Sequence, residues 1–292
     1  MSSGVHMSSA GSPEAAHSIP PATRLNLPTL FWAELRREWI LVFRYPLELV
    51  SRLIWNLGFA LMIYYGFNAI GSGGGQALPG FQDGQLGRLL GMLVTYIAMN
   101  GLNNAVELIN QETQTGTLEQ AALSPPPLWV ILVMRDLASY VEMILRFALV
   151  LGIATLLTGV RFHLDVPALF VILTLMYLGL EGIGLIMGGG ALLYKRVGTL
   201  TQFAAMLVFG LSILPLEGLP TWMKGFVDVF PFTQALVLLR RSAVSGETLA
   251  TMATEGTLPA LALTSGLYLA IGLVLFARME RVARDRGTLN QY

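Results

Sequence analysis

Between Val166 and Tyr194 the chain runs for 29 residues with a single charged side chain, Glu181. A helix needs roughly 20 predominantly apolar residues to cross the hydrocarbon of a bilayer, so this stretch reads as a membrane span. The composition agrees. Charged residues make up 12% of the chain and hydrophobic residues 54%, where a soluble domain carries about 25% charged side chains. With 18 basic and 18 acidic side chains, a 31.7 kDa protein lacks the polar skin that water demands. The zero net charge leaves no basic field for a nucleic-acid backbone. There is no cysteine for disulfides or thiolate metal sites, and two of the three histidines, His6 and His17, sit far from the apolar runs. The expected class is an all-α integral membrane protein.

Six stretches qualify as spans, near residues 49–70, 88–107, 128–160, 166–194, 197–216 and 255–277. The third is the least pure, since it contains Arg135, Asp136, Glu142 and Arg146. A shorter run, Val229 to Leu239, is interrupted by Pro231 and suits short re-entrant helices between the fifth and sixth spans. Residues 1–27 are rich in Ser, Ala, Pro and Gly and are expected to form a disordered tail, without the basic start and apolar core of a signal peptide. The transmembrane domain is expected to occupy residues 28–292.

Residues 28–46 precede the first span. Trp32, Leu35, Trp39 and Val42 recur there at helical spacing, while Glu34, Arg37, Glu38 and Arg44 interrupt the run. The pattern predicts an amphipathic helix lying in the membrane interface, the alternative being a cytoplasmic extension of the first span. Pro46 would mark the bend into the membrane. Orientation follows from the basic residues. With six spans both termini share one side, which collects twelve Lys and Arg residues against five on the other, with Arg146 inside a span. Both termini are therefore expected in the cytoplasm.

The glycine-rich stretch Gly71 to Gly80 lacks the Lys and the Ser or Thr of a phosphate-binding loop and falls on the outer side. Any nucleotide chemistry is thus expected in another chain. The loop Asn110 to Leu128 has no Lys or Arg, and Leu118, Ala121, Ala122 and Leu123 give it a small apolar ridge before Ser124 and Pro125–Pro127 stop it. A docking element would use both features; a plain solvent-facing loop is the alternative.

This loop carries a family likeness. Glu112, then Gly116-Thr117-Leu118-Glu119-Gln120, then Leu123-Ser124-Pro125 resembles the loop signature of ABC-2 type transporter permeases, the membrane subunits of a class of ABC exporters. The resemblance covers about residues 28–290 and includes the leading helix, six spans and inside termini. It implies that Glu112, Gly116, Thr117, Leu118, Glu119 and Leu123 form a coupling helix for an ATP-binding cassette subunit, which Trp32, Leu35 and Trp39 of the leading helix also contact. Asn110-Gln111 stand where the family often has a basic residue, so it is docking that the resemblance implies, not a particular salt bridge. It further implies a homodimer or heterodimer with a second permease, and a place in the bacterial cytoplasmic (inner) membrane. No cofactor is expected in this chain, ATP and Mg belonging to the partner subunit.

Charged and polar groups inside spans are functional candidates because an unpaired one is costly. Glu142 and Arg146 share a helix face and can form a structural ion pair or line the path. Glu181 has no partner at helical spacing and must face another helix, a dimer seam or water. Asn100 and Asn103, with Asn104 and Glu107, make a polar strip that could line a cavity or bond across helices. Gly184 and Gly188 suit close helix packing, or else a hinge. No nucleophile motif points to an enzyme. The expected function is the permease half of an ATP-driven exporter; the alternatives are an ion-coupled secondary transporter or a non-transporting membrane scaffold.

Overall fold

In a computed structural model of the protein, the described residues are 26–72, 84–115, 127–159, 165–194, 198–213 and 220–285. Most of the expected tail, most of the glycine-rich connector, residues 116–126 of the proposed docking loop, His163 and the pair Lys195-Arg196 lie outside them.

The described residues are helical, with no strand among them. Helix α1 (Leu27–Arg44) carries Pro28 in its first turn, where a missing N–H costs nothing. It ends at Tyr45, and α2 (Pro46–Ser72) starts at once on Pro46, so the proline marks the break between them. Helix α3 (Gly84–Thr115) follows, continuing through Glu112, the first residue of the expected docking signature. Then come α4 (Leu128–Thr158), closed by Gly159 at φ 69°, and α5 (Val166–Tyr194). The C-terminal part holds α6 (Gly198–Ile213), α7 (Thr221–Val229), α8 (Pro231–Ser245), α9 (Leu249–Thr254) and α10 (Thr257–Asp285). Pro231 breaks α7 from α8, which meet at a 77° bend.

Among the described residues three helices, α4, α5 and α10, are each long and apolar enough to cross a membrane, and the bent pair α7–α8 makes a fourth if taken as one broken span. Helices α2 and α3 are comparably long, at 27 and 32 residues, while α6 is a shorter apolar helix. The protein is a multi-pass helical membrane protein.

Helix α5 is the centre. Of its apolar window 56% is buried, against 28% for α4 and 22% for α10. It packs most extensively on α10 and α3, and also on α8. Glycines allow this from two sides. A methyl group on Gly184 would sit 3.0 Å from the Gly101 carbonyl of α3, and one on Gly188 would sit 3.1 Å from Ile109. On the opposite side Gly182 lies against the Tyr268–Leu269 backbone, and Gly272 of α10 lies against Gly182. The glycine run is therefore a packing surface, since backbones touch where side chains would hold them apart. Outward-facing Leu145, Leu149, Leu156 and Leu157 on α4, and Leu263, Leu267, Ile271 and Val274 on α10, remain exposed, as suits surfaces that meet lipid.

Two clamps hold the ends. At one end, Glu280 of α10 accepts from the backbone N–H of Leu128, an unsatisfied donor at the start of α4, at 3.3 Å, and pairs with Arg284 at 2.5 Å. At the other, Asp165 accepts from Leu249 N at 3.0 Å and from Ala168 N at 3.5 Å, tying α9 to the start of α5.

Candidate functional site

The first four helices, with Tyr177 of α5, line an open polar cavity of about 510 Å³. Its wall includes Arg37 and Glu38 of α1, Arg52 of α2, Asn100 and Asn104 of α3, and Arg135, Glu142 and Arg146 of α4. Helix α1 reaches it because α1 packs along α4, and Glu34 fixes that packing. Its carboxylate meets Arg135 at 3.5 Å and Arg37 at 3.4 Å, with Glu34 and Arg135 both largely buried. Glu142 and Arg146 form an i,i+4 ion pair at 2.5 Å on the same wall, so they are bonded to each other and also line the cavity. Arg52 pairs likewise with Glu48. Burial raises the Glu38 carboxyl above its ordinary value; Arg37 opposes this, Glu142 and Glu34 reinforce it, and Arg135 opposes it.

The asparagine strip divides. Asn100 and Asn103 each donate to the carbonyl four residues back, Tyr96 at 2.7 Å and Met99 at 2.8 Å; Asn100 lines the cavity and Asn103 does not. Asn104 instead reaches across to α4 and donates to Asp136 Oδ1. The same oxygen accepts from the hydroxyl of Tyr177 on α5 at 2.8 Å. Gly101 makes this possible, since a side chain there would come within 3.2 Å of the Tyr177 ring. Tyr140 packs at a tilt against Tyr177 with ring centres 4.3 Å apart, its hydroxyl bonded to Thr174 at 2.8 Å.

Glu181 lies beside this cluster, 3% exposed, its carboxyl facing that of Asp136, which is 1% exposed. Glu181 therefore faces another helix, α4. Asp136 Oδ2 and both Glu181 oxygens have no hydrogen-bond partner. Asn104, from the polar strip read in the sequence, both lines the cavity and bonds across helices, whereas sequence reasoning missed Asp136 and Tyr177 as members of this site. The available signal was an aspartate inside a span, with no basic residue three or four positions away on its own helix.

Of the docking residues, Trp32 is exposed, while Leu35 and Trp39 are partly covered, and Trp39 stacks on Phe43 with ring centres 5.9 Å apart. Glu112 lies near the end of α3, and Gly116, Thr117, Leu118, Glu119 and Leu123 lie outside the described residues. Among the described residues no group of three His, Asp or Glu side chains is arranged to hold a metal ion.

A family model for the ABC-2 type transporter matches residues 29–243, from α1 through α8 and so across the whole cavity. The chain belongs to the ABC-2 type transporter family. It is thus an ABC transporter permease, a membrane transport domain and not itself the nucleotide-binding subunit. Membership implies association with an ATP-binding cassette subunit. No curated protein matches the ABC-2 chain. Within this permease the cavity and the carboxyl pair share one architecture: α1 and α4 supply its outer wall, and α3 and α5 supply the polar side chains at its inner edge.

Proposed function

We propose that this permease forms the translocation path of an ATP-driven exporter. Six spans and an interfacial α1 would leave both termini in the cytoplasm of a bacterial inner membrane. The observation that carries the reading is the convergence at one end of the helix bundle. There α3 ends at Thr115, α4 begins at Leu128, the charged end of α10 holds Leu128 through Glu280, and α1 is fastened to Arg135 two turns along α4. The stretch joining α3 to α4 is the one that carries the coupling signature, so a partner gripping that stretch and α1 would act on a single helix from two places.

In this mechanism ATP and Mg act in the partner subunit, and the permease answers by shifting between conformations favoured by different contacts. Glu112 to Leu123 and the exposed face of α1, with Trp32, are the contact surfaces. Two permease chains would assemble, as homodimer or heterodimer, with the route outward at their seam.

The test is reconstitution of the permease with its ATP-binding subunit in lipid. Leu118→Ala or Glu119→Ala is expected to lower the permease-dependent ATPase activity and transport together while leaving the permease folded. Unchanged coupling in both variants, or failure of the wild-type chains to co-purify, would defeat the proposal.

A further inference from the structure

We propose that Asp136 and Glu181 together form a proton-binding site, loaded from the polar cavity by way of Tyr177. Both carboxyls are almost wholly buried, they face each other, and three of their four oxygens have no partner. No basic residue among the described residues pairs with either. The two arginines of α4 are engaged elsewhere: Arg135 with Glu34, and Arg146 with Glu142.

The other elements around the pair bring no compensating charge. Helix α3 contributes Asn104, α4 contributes Tyr140 and α5 contributes Tyr177. Helix α10 meets this part of α5 at Tyr268 and Leu269, inside its uncharged run 257–277, and α8 meets it at Pro231, at the start of the uncharged run 231–239. Of the charged groups on α1 and α2, Arg37, Glu38, Glu48 and Arg52 line the cavity and Glu34 is paired with Arg37 and Arg135, while Glu107 of α3 lines the cavity and accepts from Gln111. Two adjacent anions in such a place are each costly to bury and repel one another. One proton removes the repulsion and leaves a single buried anion, because the hydroxyl of one carboxyl can then donate to a free oxygen of the other.

The surroundings also assign the proton. Asp136 accepts from Asn104 and Tyr177, so the negative charge rests on Asp136 and the proton on Glu181, which has no donor of its own. Neither carboxyl lines the cavity, but Asn104 and Tyr177 do. Loading is then a relay. The Tyr177 hydroxyl passes its proton to Asp136 Oδ1 and takes one from cavity water, and Asp136 hands the proton on to Glu181. The net change is one proton moved from water to the pair, with Tyr177 restored. Since Asp136 rides on α4 and Glu181 on α5, a displacement between these helices would part the two groups and release the proton. That last step rests on the exporter reading; the site itself does not.

The test is infrared spectroscopy of the full-length permease in lipid nanodiscs at neutral pH. The wild type is expected to show the carbonyl band of a protonated, buried carboxylic acid. Glu181→Gln should abolish the band and Asp136→Asn should move it. Tyr177→Phe should keep it but slow its shift on transfer to heavy water. Absence of the band from the wild type, or its persistence unchanged in Glu181→Gln, overturns the site. Exchange at the wild-type rate in Tyr177→Phe overturns the route. The wild-type measurement needs no variant to fold, no partner and no substrate. Its failure would therefore count against the proton site, whereas failure to assemble with an ATP-binding subunit would count against the exporter.

Discussion

Adding one methyl group at Gly182 should weaken the most extensive helix contact among the described residues, that of α5 with α10. An alanine Cβ there would lie 2.6 Å from Leu269 N and closer still to the Tyr268 carbonyl, and both are backbone atoms that no rotamer change can move. To restore ordinary contact with the Tyr268 carbonyl, α5 and α10 must part by about 1 Å, and a gap of that size forfeits roughly half of the dispersion attraction between facing atoms. Against this, alanine gains about 0.5–1 kcal/mol over glycine in a helix interior. The net cost should fall near 1–3 kcal/mol, typical of an overpacked core, and lower the melting temperature by about 3–10 °C. Gly266→Ala provides the control. It sits on α10 with nothing within 4 Å of the added carbon, so it should melt at or above the wild-type temperature. Both variants can be followed by thermal unfolding in detergent with size-exclusion readout. If Gly182→Ala melts together with Gly266→Ala, the backbone contact is not what holds α5 to α10, and the packing argument fails.

Three further outcomes follow from the polar contacts. Glu34→Gln should loosen α1 from α4, seen as faster protease cleavage at Arg36 and Arg37, and its double-mutant cycle with Arg135→Gln should show a coupling of about 0.5–1 kcal/mol. Glu280→Ala leaves the Leu128 N–H without its acceptor and should cost about 1–3 kcal/mol in thermal stability. Because burial raises the Glu38 carboxyl when folded, the unfolded chain gives up that proton at lower pH. Stability is then retained below the unfolded value and lost as pH rises through the folded one. Glu38→Gln should accordingly raise the melting temperature at neutral pH and change it little under acidic conditions.

What could be read from the residues was whatever is local to one helix. Long uncharged runs give helices such as α5 and α10, Pro46 and Pro231 give breaks, and Gly184 with Gly188 gives a packing face, because each depends on neighbours within a few positions. The Glu142–Arg146 pair was legible for the same reason. The buried site was not. Asp136 and Glu181 are brought together by the packing of α4 on its neighbours, and nothing in helical spacing points from one to the other. Arg135 and Asp136 are neighbours in the sequence, inside the least pure of the expected spans. Consecutive residues on a helix face different directions, and here one turns to α1 while the other turns into the cluster with α3 and α5.

That divergence has a mechanical consequence. Arg135 and Asp136 stand about 100° apart around the axis of α4, and each is anchored to different elements, so neither can swing without straining the other's bonds. Helix α4 is thus locked against spinning about its own axis, much as a shaft is held by two keys set at an angle. A push delivered at Leu128 cannot be dissipated as rotation in place. It must travel along the rod as tilt or slide, the two motions that alter how α4 lies against α5.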